Sequence, residues 1–214
     1  MAELFFFMSL PAVITGDIVN STKLTSVSEK RILKQLKSIL LPHKHEFYRG
    51  DSFQAYIKDA AQALRIALLC RAAAMAIPAG EKNIRSDIRI SVGIGTAKAP
   101  VKTLSAAKGD AFLLSGRAFD EITKTGKRLA IVTSAPVANT AFEVIADYIN
   151  SVFQNITDKQ ATVIFELLSG RTQKKVADRL GKSRSTINQH VTSGRFYEIE
   201  RLLEQYENII KQIK

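Results

Sequence analysis

Apolar and polar positions alternate strictly in residues 87–96, D-I-R-I-S-V-G-I-G-T, which predicts a strand with differing faces. Residues 10–15, a short run holding Val13 and Ile14, predict a buried strand. In residues 28–41, Ile32, Leu33, Leu36, Ile39 and Leu40 recur at helical spacing, and Pro42 stops the helix. Residues 46–49 and 53–58 flank Gly50 and Asp51, the pattern of a tight hairpin. Residues 59–77 predict an Ala- and Leu-rich helix that ends before Pro78. A helix over 110–123 and a strand over 128–133 follow. This order predicts an open sheet with helices packed on one face, an α+β arrangement of the ferredoxin-like kind.

From residue 139 the pattern is helical throughout. A helix over 139–153 runs into Asn155-Ile156-Thr157. Thr157 is suited to cap the next helix, 158–168, with Gln160 as its capping-box partner, and Gly170 ends it. In residues 195–214, Ile199, Leu202, Leu203, Tyr206, Ile209, Ile210 and Ile213 form a stripe at steps of three and four. That stripe fits a dimer seam or packing on its own chain equally well. We expect a sheet domain over 1–135 for sensing or dimerisation, a linker helix over 136–156, and an all-α helix-turn-helix domain over 157–214.

Residues 172–191, T-Q-K-K-V-A-D-R-L-G-K-S-R-S-T-I-N-Q-H-V, read as two short helices around a tight turn. Ala177 is small where helices approach, Gly181 permits the turn, and Ile187 is apolar on the inner face. Val176, Leu180 and Val191 complete the buried side. A generic helical hairpin does not need those residues at those offsets. We expect Lys174, Lys175, Arg179 and Lys182 to hold phosphates of double-stranded DNA. Ser183, Arg184, Ser185, Thr186, Asn188, Gln189 and His190 would face base edges or the nearby backbone.

Charge sharpens this picture. The 214-residue chain carries a net charge of +11 and a pI near 9.8, a balance that favours a polyanionic partner. Residues 158–195 hold eight cations against three carboxylates. Cys70 lies in an apolar run and reads as a small buried hydrophobe. One cysteine excludes a disulfide framework within the chain, which suits a cytoplasmic location. No apolar run approaches the roughly 18 residues of a membrane span. Residues 4–8 are too short an apolar cluster for a signal core, and Met8 is an alternative start, with 1–7 as an extension.

Two carboxylates stand at distinctive places. Asp17 follows the first strand in T-G-D-I-V-N-S-T, and Asp51 sits at the hairpin tip in Y-R-G-D-S-F-Q. If strand and hairpin are neighbours, both converge on one edge, where paired oxygens suit Mg²⁺ carrying phosphates. Backbone N–H groups of residues 18–22 would face those phosphates. Spacing alone also fits two ordinary turn residues. His43 and His45 read as loop residues. Gly93 and Gly95 read as sites of close backbone approach, since a third glycine and a following helix are missing.

Taken together with I-S-V-G-I-G-T-A and K-G-D-A-F-L-L-S-G-R, these segments resemble, in order, the motifs of class III nucleotidyl cyclases. The closer resemblance is to the SatD-like family, bacterial proteins with a cyclase-like domain, over about residues 9–133. Residues 157–191 resemble LuxR-type and sigma-factor DNA-binding domains. The cyclase resemblance implies that Asp17 and Asp51 hold a metal, Mg²⁺, and that Arg117 faces the transition state. Asn20, Ser21, Thr22 and Arg117 are then the ligand-binding set. The family's catalytic asparagine is replaced by Leu113, and its base-selecting positions by Phe47 and, in a looser alignment, Ala106. We therefore expect no catalytic residue and no enzyme. The expected protein is a homodimeric transcription regulator whose degenerate cyclase-like domain senses a nucleotide-like ligand. The alternative is a divergent nucleotidyl cyclase or phosphohydrolase with an attached DNA-binding segment.

Overall fold

A computed structural model describes residues 10–79, 85–98, 101 and 103–213. The reading of Met8 and residues 1–7 lies outside the described residues. The strands are β1 (Ala12–Ile18), β2 (Lys44–Tyr48), β3 (Ser52–Ile57), β4 (Ile88–Ile94) and β5 (Leu129–Thr133). The helices are α1 (Ser26–Leu40), α2 (Ala63–Met75), α3 (Asp110–Thr125), α4 (Pro136–Asn155), α5 (Asp158–Leu168), α6 (Gln173–Leu180), α7 (Arg184–Ser193) and α8 (Phe196–Gln212). The strands form one sheet in the order β2-β3-β1-β4-β5. Only the β4–β5 pair is parallel, with α3 as its crossover.

The sheet carries helices on both faces, which corrects the one-faced expectation. The reason lies in the small side of β4. Ser91 and Gly93 face α3, and a Cβ on Gly93 would sit 2.3 Å from the Ser115 nitrogen. Glycine there lets α3 lie directly on the strand. Thr15 Oγ1 and Ser115 Oγ are 2.7 Å apart, and Ser91 Oγ donates to the Ser115 carbonyl at 2.8 Å. The other face, with Ile14, Ile90 and Val92, is covered by α2, and α1 packs beside α2.

Local signals explain the helix ends. Thr25 caps α1 by accepting from Ser28 N, so the helix starts at Ser26, two residues before the predicted start. The predicted capping box at Thr157 and Gln160 is present in full. Helix α4 lies along β5, with Asn139 Oδ1 accepting from Thr133 N and Asn139 Nδ2 donating to Thr133 O, both at 2.8 Å. Asn150 Nδ2 donates to Leu129 O at 3.2 Å.

The C-terminal helices do not form a distinct all-α domain with a core of its own. Helix α5 packs on α2, and α8 packs on α4, α7 and the short 3₁₀ turn at Ala60–Gln62. Tyr206 Oη donates to the Ala60 carbonyl at 2.6 Å, and its ring lies 5.4 Å from that of Phe142. Buried residues of both regions join one apolar cluster. The stripe on α8 is thus used within its own chain.

Buried Arg71 on α2 binds three elements together. Its Nε and Nη2 donate to Asp87 beside β4, at 3.1 and 2.8 Å. Its Nη1 donates to Asn150 Oδ1 of α4 at 3.0 Å, and its guanidinium sits 4.6 Å from the Phe153 ring centroid.

Candidate functional site

The end of the sheet where β1 finishes and β3 starts gathers the predicted carboxylates. Asp17 pairs in register with Ser52 on β3 and with Arg89 on β4. Asp51 is one residue before Ser52, and Ile18 N donates to the Asp51 carbonyl at 3.1 Å. Arg49 and Gly50 both take positive φ, so the hairpin turns sharply and returns Asp51 to the edge of β1. Asp17 and Asp51 therefore stand at neighbouring positions of one sheet end.

Each carboxylate is held differently. Asp17 Oδ2 accepts from Arg89 Nη1 at 3.0 Å, whereas Asp17 Oδ1 is buried without a hydrogen-bond partner. Burial pushes the Asp17 carboxyl above its ordinary range, and Asp51 adds to the shift; Arg89 and Arg128 oppose it. Asp51 Oδ2 accepts from Ser21 Oγ at 2.8 Å, and Oδ1 from Ser52 Oγ at 3.3 Å. Ser21 therefore ties the loop after β1 to the hairpin. Asn20 (φ 57°) and Thr22 are exposed on the same loop.

A buried carboxylate oxygen with no donor fits a hard cation. Two carboxylates also suffice for Mg²⁺, which keeps several waters and takes further oxygens from phosphate. Among the described residues no group of three or more His, Cys, Asp or Glu side chains can hold a metal.

Arg117 is not brought to this pair. It lies two residues past Ser115, whose hydroxyl faces the sheet, and so projects from the outer side of α3, exposed and without an ion pair among the described residues. Leu113 is 50% exposed on the same outer side. The Phe47 ring lies tilted against that of Phe53, with centroids 5.7 Å apart. Cys70 is fully buried, and burial pushes its thiol up to about 12. His45 lies in β2, its Nδ1 2.9 Å from the His43 carbonyl.

Reasoning from sequence missed Arg71, Asp87, Arg89 and Arg128. Arg89 was visible as a charge on the polar side of the β4 alternation. Its partner became visible only with the β1–β4 register.

The segment after α5 forms two short helices at the predicted turn. Gly181 takes φ 60° between α6 and α7. Val176, Ala177, Ile187 and Val191 are buried. Lys174, Lys175, Lys182, Arg184, Ser185, Asn188 and Gln189 are exposed, and Thr186 and His190 are half-buried. Ser183 is occupied as a cap, accepting from Thr186 N at 3.1 Å. Arg179 donates to Glu166 Oε1 of α5 at 3.1 Å, so part of its guanidinium is spent inside the chain. Helix α7 packs against α5, α6 and α8.

No family model and no curated protein matches the chain. Its fold is similar to that of solved cyclases. One is the active GGEEF domain of a diguanylate cyclase from Vibrio cholerae, at 14% identity and a TM-score of 0.43, covering 59% of this chain and 84% of that one. A bacterial light-regulated adenylyl cyclase gives 16% identity and a TM-score of 0.41, covering 57% and 75%. A second structure so described gives 17% identity and a TM-score of 0.39, covering 58% and 43%. Against the expectation of no enzyme, the structures this chain is similar to are described as cyclases.

Proposed function

We propose that the chain is a divergent nucleotidyl cyclase or phosphohydrolase acting on nucleoside triphosphates, with α6 and α7 as an attached duplex-DNA-binding segment. The observation that carries the first part is the pairing of Asp17 and Asp51 at one sheet end, with Asp17 Oδ1 buried and unpartnered. Asp17 and Asp51 would hold Mg²⁺, which when bound neutralises phosphate charge in such reactions. Ser21 orients Asp51; of the backbone N–H groups expected to face phosphates, those of Ile18 and Val19 are spent on the Asp51 and Asp87 carbonyls, and those of residues 20–22 would take that role. Arg89 holds Asp17 in place. With leucine at 113, no side chain there hydrogen-bonds a ribose, which favours attack by water over cyclisation.

Arg117, turned away from the pair in its own chain, supports a homodimer in which the partner copy completes the site. The second part rests on the exposed cations and amides of α6 and α7. Lys174, Lys175 and Lys182 would hold phosphates, and Arg184, Asn188 and Gln189 would reach base edges. Such a segment would place nucleotide turnover at a genomic site and give the protein a regulatory role.

The test is incubation of the full chain with nucleoside triphosphates and Mg²⁺ or Mn²⁺, followed by chromatography for cyclic nucleotide and released phosphate. Turnover lost in Asp17→Asn and Asp51→Asn supports the reading. Absence of turnover at micromolar protein, or wild-type turnover in both variants, refutes it.

A further inference from the structure

Two of the arginines at this sheet end are ion-paired and a third, Arg128, is not. Arg71 is matched by Asp87, and Arg89 by Asp17. Arg128, just before β5, is half-buried, and its side chain makes no hydrogen bond or ion pair among the described residues. Burial and the nearby charge of Arg89 lower its pKa, and the charges of Asp87 and Asp17 oppose that only in part.

Arg128 lines a cavity of about 390 Å³ together with Lys23, Asn20, Asp87, Gly126 and Arg85. That volume lies within the range of small-ligand sites. Lys23 likewise has no side-chain partner among the described residues. The Asp87 carboxylate is engaged by other groups: its Oδ1 accepts from Arg71 Nε and Ile88 N, and its Oδ2 from Arg71 Nη2. Arg85 donates to the carbonyls of Gln154 and Ile156 at the end of α4, so its charge is fixed at the rim.

We propose that this cavity is an oxyanion site that takes the phosphate group of a small molecule, held by Arg128 and Lys23 and lined by neither Asp17 nor Asp51. An arginine fork matches phosphate oxygens two at a time, and a lysine adds a point charge. The site needs no metal, which distinguishes it from the proposed reaction centre.

The test is calorimetric titration of the full chain with pyrophosphate, in chelator and at fixed ionic strength. Wild type should bind saturably. Arg128→Gln should weaken binding about tenfold or more, the scale of a lost charge-assisted pair. Lys23→Gln, at an exposed position, should weaken it as well, so the result does not hang on whether Arg128→Gln folds. Asp51→Asn and Arg184→Ala should bind undiminished. No saturable binding by wild type, wild-type affinity in Lys23→Gln, or loss in Asp51→Asn or Arg184→Ala overturns the proposal.

Discussion

Replacing Arg71 by methionine removes the guanidinium joining α2, β4 and α4 while keeping a long side chain in its place. Arg71 is 0% exposed, so its hydrogen bonds have no water to replace them. Two of these go to Asp87 and one to Asn150. Breaking a buried pair from one side costs about 3–5 kcal/mol, because the remaining charge is stranded. The Asp87 side chain is 15% exposed and keeps its bond from Ile88 N, which moves the value to the lower end. Stranding the buried Asn150 Oδ1 adds about 1–3 kcal/mol. Methionine fills most of the volume, so the cavity contribution is small. We expect a loss of about 4 kcal/mol, and at about 2–4 °C per kcal/mol for a chain of this size, a Tm lower by about 10 °C. The assay is urea unfolding followed by far-UV circular dichroism, since the chain has no tryptophan. Adding Asp87→Asn should recover part of the loss by removing the stranded charge. A loss below about 1 kcal/mol, the level of an ordinary surface change, would refute this account of the network.

Three further outcomes follow from the geometry. The folded state holds the Asp17 proton to a higher pH than the unfolded chain does, so stability is highest with the proton bound and falls as pH rises through the raised value. Urea midpoints between about pH 4 and 7 should show that fall in wild type and not in Asp17→Asn. Gly93→Ala would place its Cβ 2.3 Å from Ser115 N and 2.4 Å from Ala111 O, so α3 must shift. Overpacking plus the lost Thr15–Ser115 contact should cost about 3 kcal/mol in thermal melts, and an unchanged melt would contradict the close approach. Arg184→Ala should weaken specific duplex binding by about 1–3 kcal/mol in gel-shift titrations, and an unchanged affinity would show that another face reads the bases.

Local signals were legible in the sequence wherever a few neighbouring residues decide the outcome. The alternation of β4, the turn at Gly181 and the capping box at Thr157 and Gln160 all depend on residues within one turn or strand. The site was legible only in part. Asp17 and Asp51 stood out by position, but Arg89 and Arg128 acquire meaning only once β1, β4 and β5 lie side by side. Arg71 looked like one charge in an Ala-rich helix, since its partners lie 16 and 79 residues away. The α8 stripe was equally compatible with another copy or with its own chain, because periodicity reports a buried face and not what covers it.

The two asparagines of α4 have a consequence for how this molecule meets its neighbours. Outer strands expose unsatisfied peptide groups that recruit foreign chain segments. Asn139 occupies both peptide groups of Thr133, and Asn150 takes the carbonyl of Leu129. A foreign strand approaching β5 would have to displace both amides and lift α4 away. That margin of the sheet is therefore sealed against fibril-type stacking, and association of two copies is directed to helical surfaces or to the opposite margin at β2.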